Sequence, residues 1–307
     1  KTDPCLSVTI KPDGGAVWKC HNCEWTGGLS GLNGSYTPPK IPKKPKVPEV
    51  RSTTDGIQDW FTKRGIGLET ILGFDIYRSE QYFGNGQPEG CISFPYYKDG
   101  ELVNIKHRTK DKRFKQEKDA ERSLYNIDRV KQHWETTFDK TIIFVEGEMD
   151  VLSVYECGYP NVVTFPDGAP KEAKFVENDK RFAALSSHEW LFDADKVIIA
   201  TDNDAAGAAL QKEIVHRFGK DRCWIVQWPD LHDIPIKDAN DVLVHHDKEL
   251  LKEAISYAKP FPIDGLYGVK DYRQEVLSIY DGNYQKPTST GFTELDEFYQ
   301  GMPSTFC

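Results

Sequence analysis

Residues 141–150 read Thr-Ile-Ile-Phe-Val-Glu-Gly-Glu-Met-Asp, and residues 197–207 read Val-Ile-Ile-Ala-Thr-Asp-Asn-Asp-Ala-Ala-Gly. Each begins as an unbroken apolar run and ends in carboxylates. A half-exposed strand alternates apolar with polar, so an unbroken run predicts a strand covered on both faces. Val162-Val163-Thr164-Phe165 and Trp224-Ile225-Val226 are two further runs, and helical patterns separate the four. Strands alternating with helices predict a parallel α/β sheet over residues 136–258. Within it Leu210, Ile214 and Phe218 form one helical stripe, closed by Gly219.

Ligands of a parallel sheet gather beyond the carboxyl ends of its strands. Glu146-Gly147-Glu148-Met149-Asp150 and Asp202-Asn203-Asp204 each follow directly on a strand, so both are expected at one edge. Converging carboxylates repel unless a cation offsets them. Mg²⁺ is the natural candidate, since it prefers carboxylate oxygens and keeps waters for phosphate. Two such ions would suit transfer of a nucleotidyl group. Either cluster alone is explained by a helix start: Asp204 as a cap, Glu148 and Asp150 as first-turn acids. Their recurrence, in chain order and at strand ends, favours chemistry. Lys237-Asp238-Ala239-Asn240-Asp241 is a third acidic element ahead of a helix, where Asp238 or Asn240 also serves as a cap.

Upstream, residues 55–135 form a different unit, of α+β pattern. Ile57, Trp60, Phe61 and Arg64 have helical spacing and Gly65 stops the helix; Leu68 to Leu72 makes a second short one. Cys91 to Tyr97 and Leu102 to His107 read as strands joined at Lys98-Asp99-Gly100-Glu101. A basic run follows: Lys106, Arg108, Lys110, Lys112, Arg113, Lys115 and Lys118, diluted by Asp111 and Glu117. Such a run holds phosphates or is simply a solvated face, and Phe114 within it is a stacking ring or a buried anchor.

Residues 1–34 are β-rich. Leu6, Val8 and Ile10 alternate with polar residues, Lys11 to Gly15 is a turn, and Val17 to Cys20 returns. The hairpin ends in Cys20-His21-Asn22-Cys23, half of a zinc ribbon with Cys20 and Cys23 as ligands. Cys5 is a third candidate, and the missing pair is expected before Lys1. Residues 35–54 interleave prolines with lysines and read as an extended linker. Residues 259–307 read as a connector, with an amphipathic helix over Tyr272 to Tyr280 and the start of another domain. Both ends look cut from something longer.

The bulk numbers fit this division. Net charge is −9, which excludes a uniformly basic nucleic-acid surface and requires the acid and the base to be segregated. The 7 cysteines are irregularly spaced, unlike a secreted disulfide framework, so a reducing compartment is expected. No apolar run spans a membrane and no signal peptide is present, so no membrane partner is expected.

In this order the pieces resemble the bifunctional primase–helicases of short-tailed phages and their mitochondrial relative Twinkle. Cys20 to Cys23 is similar to the second half of that family's zinc-binding domain. Residues 100–115 (GELVNIKHRTKDKRFK) are similar to its basic segment. VEGEMD (145–150) and ATDNDAAG (200–207) are similar to its two TOPRIM motifs, KDAND (237–241) to the motif after them, and STGFTELDEFYQG (289–301) to the start of its helicase domain. The resemblance implies a TOPRIM-type parallel-sheet domain with an α+β N-terminal subdomain, preceded by a partial zinc ribbon.

The resemblance also implies a DNA primase that makes RNA primers from ribonucleoside triphosphates on single-stranded DNA. Glu146 would act as general base or bind metal. Asp202 and Asp204 would be the principal ligands of Mg²⁺ or Mn²⁺, with Asp238 contributing. Lys112 and Lys115 resemble lysines that hold the incoming nucleotide and the growing primer, and Arg108, Lys106 and Arg113 are implied as further nucleotide- or DNA-binding groups. The zinc ribbon would read the template. The full-length protein would form a homo-oligomeric ring and work with a replicative DNA polymerase. It would reside in the cytoplasm of a phage-infected cell or in a mitochondrial or plastid matrix. No GxxxxGK[ST] loop occurs, so this chain is not expected to be an ATP-driven helicase by itself. The competing reading is a catalytically silent module for single-stranded DNA binding and ring assembly. A topoisomerase or nuclease built on the same fold is disfavoured, since the large additional domains those enzymes need are not visible.

Overall fold

The structure is a computed structural model that describes residues 6–12, 14–20, 26–29, 42–46, 55–84, 86–176, 179–231, 234–263, 272–281, 289 and 291–296. The chain divides into two compact units, Lys1–Pro42 and Lys43–Cys307.

The first unit holds a three-stranded antiparallel sheet: β1 (Leu6–Ile10), β2 (Ala16–Cys20) and β3 (Thr26–Leu29), in that order. The expected hairpin is present with Leu6 opposite Cys20, and β3 adds a strand that the sequence reading did not contain. Trp18 lies over Gly27, where any Cβ would collide with the indole. Cys20 is buried, whereas Cys5 and Cys23 lie outside the described residues.

The second unit opens with α1 (Asp55–Thr62) and α2 (Leu68–Gly73). An antiparallel sheet follows in the order β4 (Tyr77–Tyr82), β5 (Pro88–Lys98), β6 (Glu101–Thr109), β7 (Phe114–Gln116). The β5–β6 turn is a two-residue loop with Asp99 and Gly100 both in the left-handed region, at φ 51° and 78°. That is the turn whose twist matches a hairpin. Next come α3 (Ile127–Thr137), β8 (Thr141–Val145), α4 (Glu148–Glu156), β9 (Val162–Thr164), α5 (Ala183–Ser186), β10 (Lys196–Ala200), α6 (Ala205–Phe218) and β11 (Cys223–Ile225). The described chain continues through α7 (Ala239–His245), α8 (Lys248–Ser256), β12 (Lys259–Pro260), α9 (Arg273–Tyr280) and α10 (Thr293–Asp296).

The second sheet has the order β12-β11-β10-β8-β9; its four inner-to-edge strands β8 to β11 are parallel and β12 is antiparallel. The sheet thus runs two residues past the expected boundary at 258. Alternate residues of the unbroken runs enter opposite cores. Ile143, Val145, Ile198 and Ala200 pack with α1, α2, α4, α7, α8 and with Phe94 and Tyr96 of β5. Ile142, Phe144, Val197 and Ile199 pack with α3, α5 and α6 on the other face. Both faces are dry, which is why no polar residue interrupts the runs. From β8 the chain moves outward to β9 on one side and returns to β10 on the other. The gap between the carboxyl ends of β8 and β10 is therefore the topological switch point, where such sheets bind ligands.

Candidate active site

Glu146 stands at the end of β8, and Asp202 and Asp204 follow β10, so the switch point collects all three. Asp204 caps α6: its Oδ1 accepts from Ala206 N and Gly207 N, each at 2.9 Å. Those bonds hold its carboxyl below the usual range. Gly207 has no alternative, because a Cβ there would overlap the Asp202 carbonyl and stand 2.9 Å from the Asp202 nitrogen. The first turn of α6 is thereby pressed onto the backbone of the acidic loop. Capping and site-building are here the same structure, and the two readings of Asp204 do not compete.

Burial raises the Asp202 carboxyl, even though Lys237 opposes the shift. Lys237 Nζ lies 2.8 Å from Asp202 Oδ2 and 3.0 Å from Asp204 Oδ2. Glu146 has no such partner. Its Oε2 is buried and accepts no hydrogen bond among the described residues. Burial, then the charges of Asp202 and Asp204, push its carboxyl up to about 7.

Asp238 caps α7 by accepting from Asp241 N at 2.8 Å, and burial raises its carboxyl. Asp150, four residues beyond Glu146, is buried in α4, and burial together with Asp238 and Asp202 holds its carboxyl well above the usual range. It belongs to the site electrostatically, whereas the sequence reading placed it in the first acidic cluster without giving it a ligand role. Its Oδ1 accepts from Asn240 N at 3.3 Å. Asn240 in turn ties the site to α1: Arg64 donates to its Oδ1 at 3.1 Å, and its Nδ2 donates to the Arg64 carbonyl at 3.0 Å and to Ser153 Oγ at 2.9 Å.

The basic run does not form one surface. On β6 and β7, Arg108 pairs with Phe114 and Lys106 with Gln116, while His107 pairs with Lys115. Directly opposed residues share a face and neighbours alternate. Lys106, Arg108 and Phe114 are thus on one face and Lys115 on the other, where its Nζ reaches Gln81 Oε1 at 3.3 Å. Lys106 is buried and committed: its Nζ is 2.7 Å from Glu148 Oε1, with the side chains 9% and 5% exposed. Tyr96 donates to the same oxygen. Arg113 is held by Glu89 and Asp111. The structure therefore makes Lys106 and Arg113 ion-pair partners within the fold. Lys112 is exposed at the β6–β7 turn in the left-handed region, at φ 63°.

Arg108 differs from them all. Its guanidinium lies over Trp60 at 5.1 Å and Phe114 at 5.9 Å, and its Nε and Nη1 are buried with no hydrogen-bond partner among the described residues. Arg64 lies over the same Trp60 ring at 4.4 Å. Burial, then Arg64, lowers the Arg108 pKa, while Glu148 and Asp150 oppose that. Two guanidiniums thus flank one indole beside the acidic cluster. Trp60 and Arg64 entered the sequence reading only as helix-pattern residues; their place at the site depends on where α1 docks.

Among the described residues no three His, Cys, Asp or Glu side chains form a ready-made metal chelate. The donor set nonetheless fits a hard, oxygen-seeking cation. It consists of carboxylates alone, one of which, Glu146, keeps a buried oxygen without a partner.

Residues 140–225 match the model of the Toprim domain family. The chain is 36% identical to the Primase homolog protein of Arabidopsis thaliana, with 84% of this chain and 77% of that protein aligned. It belongs to the Twinkle-like primase family with a TOPRIM domain. The Twinkle homolog protein, chloroplastic/mitochondrial, of the same plant is 37% identical over 97% of this chain, which spans only 43% of that relative. Among solved structures, the RNA polymerase domain of the Mycobacterium tuberculosis primase DnaG aligns with a TM-score of 0.51 at 15% identity, covering 80% of this chain and 91% of that one. The likeness shows that the two share a fold. The α/β TOPRIM architecture follows from these matches and from the sheet order.

Proposed function

We propose that the chain is the primase part of a Twinkle-like primase–helicase, joining ribonucleotides on a single-stranded DNA template. The observation that carries this reading is the pairing at the switch point. Glu146, Asp202 and Asp204 converge there, and Arg108, from the antiparallel sheet, feels the charges of Glu148 and Asp150 and has a buried Nε and Nη1 with no hydrogen-bond partner among the described residues. Carboxylates that would hold Mg²⁺ or Mn²⁺, together with a guanidinium that would bind phosphate oxygens, suit a triphosphate substrate.

In this reading Glu146, Asp202, Asp204 and Asp238 hold the ion, which when bound supplies charge neutralisation at the transferring phosphate. Arg108, with Arg64 behind it, binds phosphate oxygens through nitrogens already stripped of water. Lys112, exposed at its turn, reaches the nucleotide or primer; Lys115, on the other face of the ladder, follows the nucleic acid further out. Glu146, poised near neutrality at about 7, is the group best suited to receive the primer hydroxyl proton. Cys20 and Cys23 are assigned to a zinc site completed by residues upstream. Ring assembly, a replicative polymerase as partner and an organellar matrix are proposed on the Twinkle relationship, and the name of that plant relative favours an organelle over a phage-infected cell. No helix among the described residues is long and apolar enough to cross a membrane.

The test is primer synthesis from labelled ribonucleotides on mixed-sequence single-stranded DNA with Mg²⁺ or Mn²⁺, using the chain and a form extended upstream. Short RNA products, lost in Asp202→Asn with Asp204→Asn, are expected. Retained DNA binding without product from either form would replace this reading with the silent assembly module.

A further inference from the structure

Lys237 is the cation held against Asp202 and Asp204, and neither the sequence reading nor the family match supplies a role for it. Its main chain is clamped on both sides. The carbonyl accepts from Asn203 N at 2.7 Å, and its own N donates to Asp241 Oδ2 at 3.0 Å. That clamp joins the loop after β10 to the start of α7 and aims the side chain at the acids. The ammonium then contacts Asp202 at 2.8 Å and Asp204 at 3.0 Å at once, and acts on Glu146 only at longer range. The side chain is 50% exposed, so it has solvent to swing into, whereas Asp202 is 11% exposed and stays.

From this geometry, and resting on the metal-site reading above, we infer that Lys237 is a built-in counter-cation that a divalent ion must displace from Asp202 and Asp204. Two oxygens already engaged by an ammonium are not free to bind an ion, and a positive charge left within a few ångströms repels one. Lys237 therefore holds the two carboxylates in place when no ion is bound and weakens the site for the ion when one arrives. It sets the divalent-ion concentration at which the site fills. The same displacement leaves the ammonium beside the triphosphate, still anchored by its backbone. The lysine is a positioning residue by this account, and its signature is in binding rather than in turnover.

The experiment measures Mn²⁺ binding to the whole chain from the loss of the free-ion paramagnetic resonance signal. It compares wild type, Lys237→Met, Lys237→Gln and Asp202→Asn. The backbone clamp does not depend on the Lys237 side chain, and two neutral replacements guard against a local folding defect in either. The expected result is Mn²⁺ binding that is roughly tenfold tighter in both neutral variants than in wild type, and lost in Asp202→Asn. Without ion, both neutral variants melt below wild type, and the shift reverses when Mn²⁺ is added. Binding abolished by Asp202→Asn but equal or weaker in the neutral Lys237 variants overturns the counter-cation and leaves the metal site standing. No Asp202-dependent binding in wild type or in either neutral variant overturns both.

Discussion

Replacing Lys106 with methionine is expected to cost the fold about 3–5 kcal/mol, because it strands a buried carboxylate. The ammonium is 2.7 Å from Glu148 Oε1, and both side chains are nearly inaccessible. The other contact of that oxygen is the hydroxyl of Tyr96, which is neutral and itself fully enclosed. Methionine keeps the packing volume but removes the charge, so Glu148 must either ionise without a partner or bind a proton. Pairing the change with Glu148→Gln removes the stranded charge and leaves an acceptor for Tyr96. The double variant is expected to recover to within about 2 kcal/mol of wild type. The pair then shows a coupling of at least about 1–3 kcal/mol, to which the cost of Glu148→Gln alone adds, above the additivity error between independent sites. The assay is urea unfolding followed by far-ultraviolet circular dichroism for all four corners of the cycle, with thermal midpoints as a second reading. For a unit of this size the single variant should melt roughly 6–20 °C lower. A stable Lys106→Met protein with weakened DNA binding and no coupling to Glu148 would refute the argument and return Lys106 to the nucleic-acid surface.

Gly207→Ala is expected to lose about 1–3 kcal/mol and to disable the site, since a Cβ there drives into the Asp202 backbone; unchanged stability and metal binding would contradict that packing. Acid should destabilise the unit through His188. Burial, then the charge of Lys98, pulls its imidazole from 6.5 to about 4, so the folded state keeps the ring neutral while the unfolded chain protonates it. The stability this provides is whole above pH 6.5 and is lost as pH falls toward 4, by up to about 3 kcal/mol. Urea midpoints for His188→Gln at pH 7 and pH 4.5 should therefore differ less than those of wild type, and parallel losses would remove His188 as the cause. Lys112→Gly should keep or slightly raise stability, because glycine takes a φ of 63° without strain. The same change should weaken nucleotide binding severalfold in a fluorescence titration, and unaffected binding would make Lys112 a turn residue only.

Much of the catalytic sheet was legible in one dimension. Ile142 to Val145 and Val197 to Ala200 are unbroken because each residue enters one of two dry cores, a pattern that a half-exposed strand cannot have. The acids were legible for a related reason: a carboxylate directly after such a strand lands at the sheet edge whatever the surrounding loops do. Asp99-Gly100 named its own turn. β4 was not legible, because only Tyr77 in it is buried and its sequence, Tyr-Arg-Ser-Glu-Gln-Tyr, reads as a polar loop. β3 is two glycines between Thr26 and Leu29, and exists as a strand because β2 pairs with it.

The sequence by itself thus determined the parallel sheet, the two acidic clusters at one of its edges and the family, since these follow from local periodicity and short motifs. Tertiary structure alone decided the partner of each cation. Lys106 and Arg108 are two residues apart on one strand face, yet Glu148 engages the first and, among the described residues, no hydrogen-bond acceptor engages the buried Nε and Nη1 of the second. Lys115, read as their companion, is turned to the opposite face by the register of β7 against β6. Lys237 reaches the acids from 35 residues after Asp202, and Trp60 stacks under Arg108 from 48 residues before it. Charge and hydrogen bonding act through space over a few ångströms, so the partner of a buried ion depends on chain packing, and no motif records it.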